Sequence, residues 1–320
     1  MSMKIVVTGD AGLIGSALVG SLLKQGYHVY GIDSKPHDQL GPIEPFRKHR
    51  YYKHYTVDTV RDIEKMEEII YQHDIDIIVH FACTSRVIFG YMDPVATVRT
   101  NVLNTTQMLN IARKSPKNVK FIFGSSREVY GEVTKDMETK RYTFNPTNIY
   151  GVSKYAAEMM CRLFASNYNM QTMVLRFSNV YGSKFDHADR VIPIFAYNIM
   201  NDIPIEIHGG TQNFDPVHID DTAAFIIKAI EHLGKQDNDK PYFDDFDCVR
   251  GQRVSLPELI QIIEKITKKK AKTVKKPARA YDVNNFVGDP KKAEKVLGFK
   301  SQIDIETGIK RYLEVLKKET

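Results

Sequence analysis

A doubly wound parallel α/β sheet with a smaller C-terminal α/β lobe is the fold class this sequence predicts, and three observations predict it. Short β-branched runs alternate with helix-period segments through the first half of the chain. A glycine-rich turn joins the first strand to the first helix, and after about residue 176 the pattern loosens into shorter elements. Strands separated by helices of this length wind into a parallel sheet through right-handed crossovers. Ligands in such sheets sit at the carboxyl ends of the strands, so the residues there carry the information.

The elements follow in order. Lys4 to Thr8 is a strand and Leu13 to about Gln25 an apolar-periodic helix, followed by a strand from His28 to Ile32. An irregular loop from Ser34 to about Arg50 precedes a third strand, Tyr52 to Val57, and a helix, Ile63 to Tyr71. Ile75 to His80 is dense in β-branched residues, as expected of a strand buried on both faces. Asp93-Pro94 opens a helix running to about Arg113, with proline where a first turn tolerates it. Val119 to Phe123 is a fifth strand, Ile149 to Tyr168 one long helix, and Thr172 to Arg176 a further strand. The second half predicts helices at Arg190–Asn201, Asp220–His232, Leu256–Thr267, Pro290–Leu297 and Ile305–Leu316, with short strands at Pro204–Ile207 and Val217–Ile219. This divides the chain into a first domain over 1–176 and a second, covering lobe over 177–320, with the two interleaving.

Composition narrows the class of function. Of 320 residues, 42% are hydrophobic and 26% charged, which suits a folded globular chain and excludes a fibrous or disordered one. A net charge of +6 is too weak to imply nucleic acid, and the lysine run at Lys268, Lys269 and Lys270 has no aromatic platform beside it. Cys83, Cys161 and Cys248 are odd in number and widely spaced, so neither a disulfide framework nor a metal site is expected. No apolar run approaches the roughly 18 residues of a membrane span, and Met1-Ser2-Met3-Lys4 leads at once into the first strand. The expectation is a cytoplasmic protein that meets neither membrane nor nucleic acid.

Thr8-Gly9-Asp10-Ala11-Gly12-Leu13-Ile14-Gly15 sets backbone N–H groups and the positive end of a helix at the crossover, a geometry that binds pyrophosphate. Gly9 permits the tight turn, Gly12 lets phosphate approach, and Gly15 lets helix and strand pack closely. Gly9, Gly12, Leu13, Ile14 and Gly15 are therefore candidate cofactor contacts. Asp33 ends the second strand eighteen residues after Gly15, where a carboxylate accepts from both hydroxyls of an adenosine ribose. It also repels a 2′-phosphate, which favours NAD over NADP, although Lys35 stands nearby. Asp58 ends the third strand and by the same placement reaches the adenine.

Tyr150 and Lys154 stand four apart at the start of a helix, on one face. Moving a phenol from pKa ~10 to ~7 takes roughly 4 kcal/mol, which an ammonium about 4 Å away supplies at an effective dielectric of about 20. The pair makes a usable base. Ser126, in Gly124-Ser125-Ser126-Arg127-Glu128-Val129-Tyr130-Gly131, follows the fifth strand and places a hydroxyl at the same sheet edge, to orient a substrate alcohol toward Tyr150.

With these residues in view, the chain resembles the extended short-chain dehydrogenase/reductase family, in its NAD-dependent epimerase/dehydratase branch acting on nucleotide sugars. The likeness runs through TGDAGLIG at Thr8, HFAC at His80, TNVLNT at Thr100, SSREVYG at Ser125, YGVSK at Tyr150, RFSNVYG at Arg176, VHIDD at Val217 and GDPKKAEKVLGF at Gly288. The resemblance implies a Rossmann-like NAD domain, a C-terminal lobe holding a nucleotide sugar, a homodimer through the long helices near Val98 and Tyr155, and a catalytic trio of Ser126, Tyr150 and Lys154. It also implies that Tyr150 and Lys154 touch the cofactor, that Phe81, Ala82 and Cys83 line it, that Asn179 holds a substrate phosphate, and that Arg279 pairs with the pyrophosphate.

Departures from the family pattern steer the choice of reaction. Related 4,6-dehydratases resemble one another in an acidic pair where this chain has Arg127 and Glu128. Glu128 is a candidate base at sugar C5, but Arg127 replaces the acid that would protonate the leaving hydroxyl; it is instead a candidate substrate contact. Phe214 replaces a usual arginine, and Cys83 a usual alanine. The expected activity is C4 epimerisation of a UDP-sugar through a transient 4-keto intermediate. The alternatives are 4,6-dehydration, decarboxylation of a uronate with Arg127 on the carboxylate, and a non-catalytic NAD-binding partner protein.

Overall fold

The computed structural model describes residues 2–35, 39–133, 143–279 and 283–317. Its centre is a seven-stranded, wholly parallel sheet. In chain order the strands are β1 (Lys4–Thr8), β2 (His28–Asp33), β3 (Tyr52–Thr56), β4 (Ile77–His80), β5 (Lys120–Ser126), β6 (Gln171–Phe177) and, much later, β11 (Tyr242–Cys248), in the spatial order β11-β6-β5-β4-β1-β2-β3. Thr8 lies in register with both Ile32 and His80, so the glycine turn leaves from the middle of the sheet, where the strand order reverses.

Alternation along the strands feeds two helical layers. Ile5, Val7, Met173, Leu175 and Phe246 pack toward α1 (Leu13–Lys24), α8 (Ile219–Gly234) and α10 (Lys291–Leu297). Val6, Ile78, Phe121, Phe123 and Val174 face α2 (Ile63–Gln72), α5 (Asn104–Lys114) and α6 (Ile149–Tyr168). A third core belongs to the outer lobe, where α7 (Val191–Met200), α9 (Leu256–Thr267) and α11 (Ile305–Lys317) close around Phe195, Leu259 and Leu313. Short pairs complete that lobe: β7 (Asn179–Tyr181) with β10 (Pro216–His218), β9 (Asn213–Phe214) with β12 (Val254–Ser255), and β8 (Ile205–His208) with the exposed lysine-bearing edge β13 (Thr273–Lys276).

Four features depart from the sequence expectation. The helix expected from Asp93 to Arg113 is three pieces: α4 (Pro94–Val98), a π turn over Arg99–Leu103, and α5. A short helix, α3 (Val87–Met92), precedes it; its Phe89, Tyr91 and Met92 are exposed, so it carries no inward stripe for a periodicity reading to detect. The loop after β2 contains a 3-10 helix over Gly41–Phe46. The seventh strand, β11, hides behind Asp244, Asp245 and Asp247, charges that only a tertiary partner makes tolerable. Arg176 supplies it, bonding Asp245 at 2.8 Å, and Lys292 reaches Asp244 at 2.6 Å. Because α8, β11 and α10 join the sheet layers from beyond residue 176, the outer lobe is not one continuous segment.

Candidate active site

A cleft of about 1390 Å³ runs along the carboxyl edge of the sheet. The structure brings to its wall every candidate named from sequence: Gly9, Gly12, Leu13, Ile14, Gly15, Asp33, Asp58, Phe81, Ala82, Cys83, Ser126, Arg127, Glu128, Tyr150, Lys154, Asn179 and Arg279.

The glycine turn explains one end. Gly9 sits at φ +73°, where only glycine is unstrained, and a Cβ there would stand 2.9 Å from the Ala82 nitrogen. At Gly15 a Cβ would fall 2.1 Å from the Gly9 carbonyl oxygen, so helix and turn are in contact. No side chain caps α1, which leaves its opening N–H groups for a ligand. The Thr8 hydroxyl oxygen accepts from the Phe81 and Ala82 N–H groups at 3.1 Å, tying the loop after β4 to the turn. Asp33 accepts from the Ala11 and Lys35 N–H groups at 3.2 and 3.0 Å. Burial raises its carboxyl above the ordinary range, opposed by the Lys35 backbone and charge. Lys35 is itself occupied, donating to the Ala11 carbonyl at 2.8 Å. Asp58 accepts from the Val60 N–H at 2.9 Å and lies 3.6 Å from Arg61, so it shapes its own turn as well as the wall. An uncapped helix end, a glycine cradle and a strand-end carboxylate in one cleft form a donor and acceptor set that fits NAD.

At the other end, Asn148 caps α6, accepting from the Gly151 N–H at 2.8 Å and donating to Glu128 at 2.9 Å. A Cβ at Gly151 would lie 2.6 Å from the Glu128 carbonyl oxygen, so the helix start presses on the turn that follows β5. This contact brings Tyr150 to Ser126. Burial raises the Tyr150 phenol well above its ordinary value, and the charges of Cys83 and Glu128 add to this, while the hydrogen bond with Ser126 and the charge of Arg190 oppose it. Lys154 is buried, donates to the Gly124 carbonyl at 2.8 Å, and stands 5.9 Å from the Tyr150 ring centre. Burial is the largest of the influences on Tyr150, so the protein's own groups hold the phenol protonated.

Asn101 and the Arg86–Asp189 pair carry no role expected from sequence, while Asn179, Phe214 and Arg279 do. Asn101, buried in the π turn, accepts from the Thr84 N–H at 2.8 Å and donates to Ser153 at 2.9 Å, fastening the loop after β4 to α6. Its signal was a polar residue at an inward helix position inside TNVLNT. Arg86 pairs with Asp189 through two hydrogen bonds of 2.7 and 2.5 Å, across 103 residues and from one lobe to the other. No local pattern announces that pair. Asn179 leaves its buried side-chain oxygen without a hydrogen-bond partner among the described residues. Phe214 is buried in the outer-lobe core, and the neighbouring Asp215 accepts from the N–H groups of Arg250, Gly251 and Gly288, a structural role. Arg279 is exposed on the rim, and the Ala280, Tyr281 and Asp282 that follow it lie outside the described residues. Among the described residues, no three His, Cys, Asp or Glu side chains converge as a metal site, and no helix is long and apolar enough to cross a membrane.

Comparison with known proteins places this geometry. A family model described as GDP-mannose 4,6 dehydratase matches residues 6–312. A putative UDP-glucose 4-epimerase of Methanocaldococcus jannaschii is 31% identical over 317 residues, covering 98% of each chain. The UDP-glucuronate 4-epimerase of Thermodesulfobacterium geofontis is 27% identical over 96% of this chain and 94% of its own. Among solved structures, the UDP-glucose 4-epimerase of Thermotoga maritima with UDP-glucose is 30% identical, with a TM-score of 0.88 over 99% of both chains. The UDP-glucuronic acid 4-epimerase of Bacillus cereus, with UDP-glucuronic acid and NAD, is 26% identical, with a TM-score of 0.87 over 99% of this chain and 100% of that one. With a Rossmann-like sheet, a glycine turn and a tyrosine–lysine helix in one cleft, the chain belongs to the extended short-chain dehydrogenase/reductase family of NAD-dependent nucleotide-sugar epimerases and dehydratases.

Proposed function

We propose that this enzyme inverts C4 of a UDP-sugar through a transient 4-keto intermediate. The observation that carries the reading is the convergence of Ser126, Tyr150 and Lys154 on the cleft that also contains the glycine turn and Asp33. Residues 1–176 hold NAD and residues 177–320 mainly hold the nucleotide sugar, with Asn179 and Arg279 toward its phosphates. Bound NAD would supply a cationic ring that accepts and returns a hydride, ending as it began. Tyr150 takes the C4 hydroxyl proton and later gives one back, Ser126 orients that hydroxyl, and Lys154 lowers the cost of the phenolate.

Epimerisation is favoured over 4,6-dehydration by Arg127. A guanidinium does not release its proton in a protein, so it cannot protonate a departing C6 hydroxyl. Glu128, whose two oxygens engage Arg127 and Asn148, acts here as a support. A non-catalytic role has no use for the assembled trio. The test is incubation of purified protein with a panel of UDP-, GDP- and dTDP-sugars, reading product mass and C4 configuration together. The expected product has unchanged mass and inverted C4, without stoichiometric NADH. Loss of water or carbon dioxide, or no conversion, overturns the reading.

We also propose a homodimer and a cytoplasmic setting. Tyr91, Met92, Val95, Val98 and Val152 are 46–73% exposed on α3, α4 and α6, an apolar face that a second copy would cover. The three cysteines are unpaired, which suits a reducing compartment. Light scattering after gel filtration is expected to give twice the chain mass, and the double variant Val95→Glu, Val152→Glu the mass of one chain.

A further inference from the structure

Arg127 holds an unused donor at the reacting end of the cleft. Its Nη2 lies 3.0 Å from Glu128, and its guanidinium carbon is 5.4 Å from the Phe286 ring centre, so one edge and one face of the fork are held. Glu128 is fixed in turn by Asn148. Of the other two nitrogens, Nη1 is buried and has no hydrogen-bond partner among the described residues. An unsatisfied buried donor costs about 1–3 kcal/mol, and more on a charged group, so a fork braced in this way fits an acceptor that a ligand brings.

The position of Arg127 indicates which acceptor. It follows Ser126 directly, and both side chains line the cleft with Tyr150. The partner of Arg127 therefore belongs to the carbons next to the one whose hydroxyl Ser126 and Tyr150 handle. With Nη2 engaged by Glu128, Nη1 offers a single cationic N–H, and an anionic carboxylate oxygen adds Coulomb attraction to that bond which a neutral hydroxyl does not. We infer that Arg127 reads a carboxylate on the sugar, and that the substrate is a nucleotide-linked uronate in preference to a neutral hexose. The inference rests on the nucleotide-sugar epimerase reading and deepens it.

The experiment compares UDP-glucuronate with UDP-glucose on the NAD-containing enzyme, by calorimetric binding and by kcat/KM, for the native chain, Arg127→Gln and Arg127→Lys. The native chain is expected to prefer the uronate. In Arg127→Gln the uronate-to-hexose ratio of kcat/KM is expected to fall about 10- to 100-fold, chiefly through KM, with partial recovery in Arg127→Lys. A native chain that binds UDP-glucose as tightly as UDP-glucuronate overturns the inference, whatever the variants do. So does an Arg127→Gln that lowers both substrates in proportion, the mark of a purely structural arginine. Preferential uronate binding without C4 inversion would instead sink the epimerase reading and leave the Arg127 assignment standing.

Discussion

Tyr150→Phe is expected to lower turnover by about 10²- to 10⁴-fold, the range for loss of a positioned proton carrier. The substitution removes one oxygen from a residue that is 7% exposed and leaves the ring in its packing, so circular dichroism should match the native protein. The pH profile carries a second check. Because burial raises the phenol, the native rate should climb with pH on its basic side, and the residual rate of the variant should not. A variant within a few-fold of native activity would remove Tyr150 from the chemistry.

The second large effect concerns a buried ion pair behind the site. Glu158 is fully buried and accepts from Arg176 at 3.0, 3.1 and 2.8 Å, and it also takes the Ser125 hydroxyl at 2.5 Å. The other arm of Arg176 donates to the Tyr130 hydroxyl and to Asp245, both at 2.8 Å. Arg176→Met leaves a buried carboxylate without its cation and is expected to destabilise the fold by about 3–5 kcal/mol in urea unfolding. Replacing both partners, Arg176→Met with Glu158→Leu, should recover most of that, since two apolar side chains leave no stranded charge. Acidity modulates the loss. Burial pushes Asp247 up to about 6, with Arg176 opposing it. A carboxyl raised on folding contributes stability at low pH that is lost as pH rises through its folded value. Without Arg176 that value climbs further, so the variant should lose more at pH 7.5 than at pH 5; equal losses would show that Asp247 does not feel the arginine.

What could be read from the chain divides by the range of the physics involved. Local rules sufficed for the glycine turn, for Asp33 at the end of β2, and for α6, where Asn148 caps and the apolar spacing continues to Tyr168. They also sufficed to bring Tyr150, Ser126 and Lys154 to one sheet edge. They failed where a distant partner decides. Three aspartates in β11 look wrong for a strand until Arg176 and Lys292 are placed beside them. The π turn exists around Asn101, whose partners Thr84 and Ser153 are 17 and 52 residues away. The seat of the Lys154 amine follows from the Gly124 carbonyl that anchors it, which spacing alone does not show.

The late return of β11 to the sheet bears on engineering. The chain crosses from sheet to outer lobe after β6, comes back for α8 and β11, departs for β12, α9 and β13, and comes back again for α10. Specificity therefore cannot be transplanted by splicing at one junction. A fragment ending near residue 177 would expose the flank of β6 along seven paired residues, an open template for aggregation. A chimera that borrows another relative's sugar-handling portion needs matched breakpoints on both sides of α8–β11, or it will precipitate before its selectivity can be assayed.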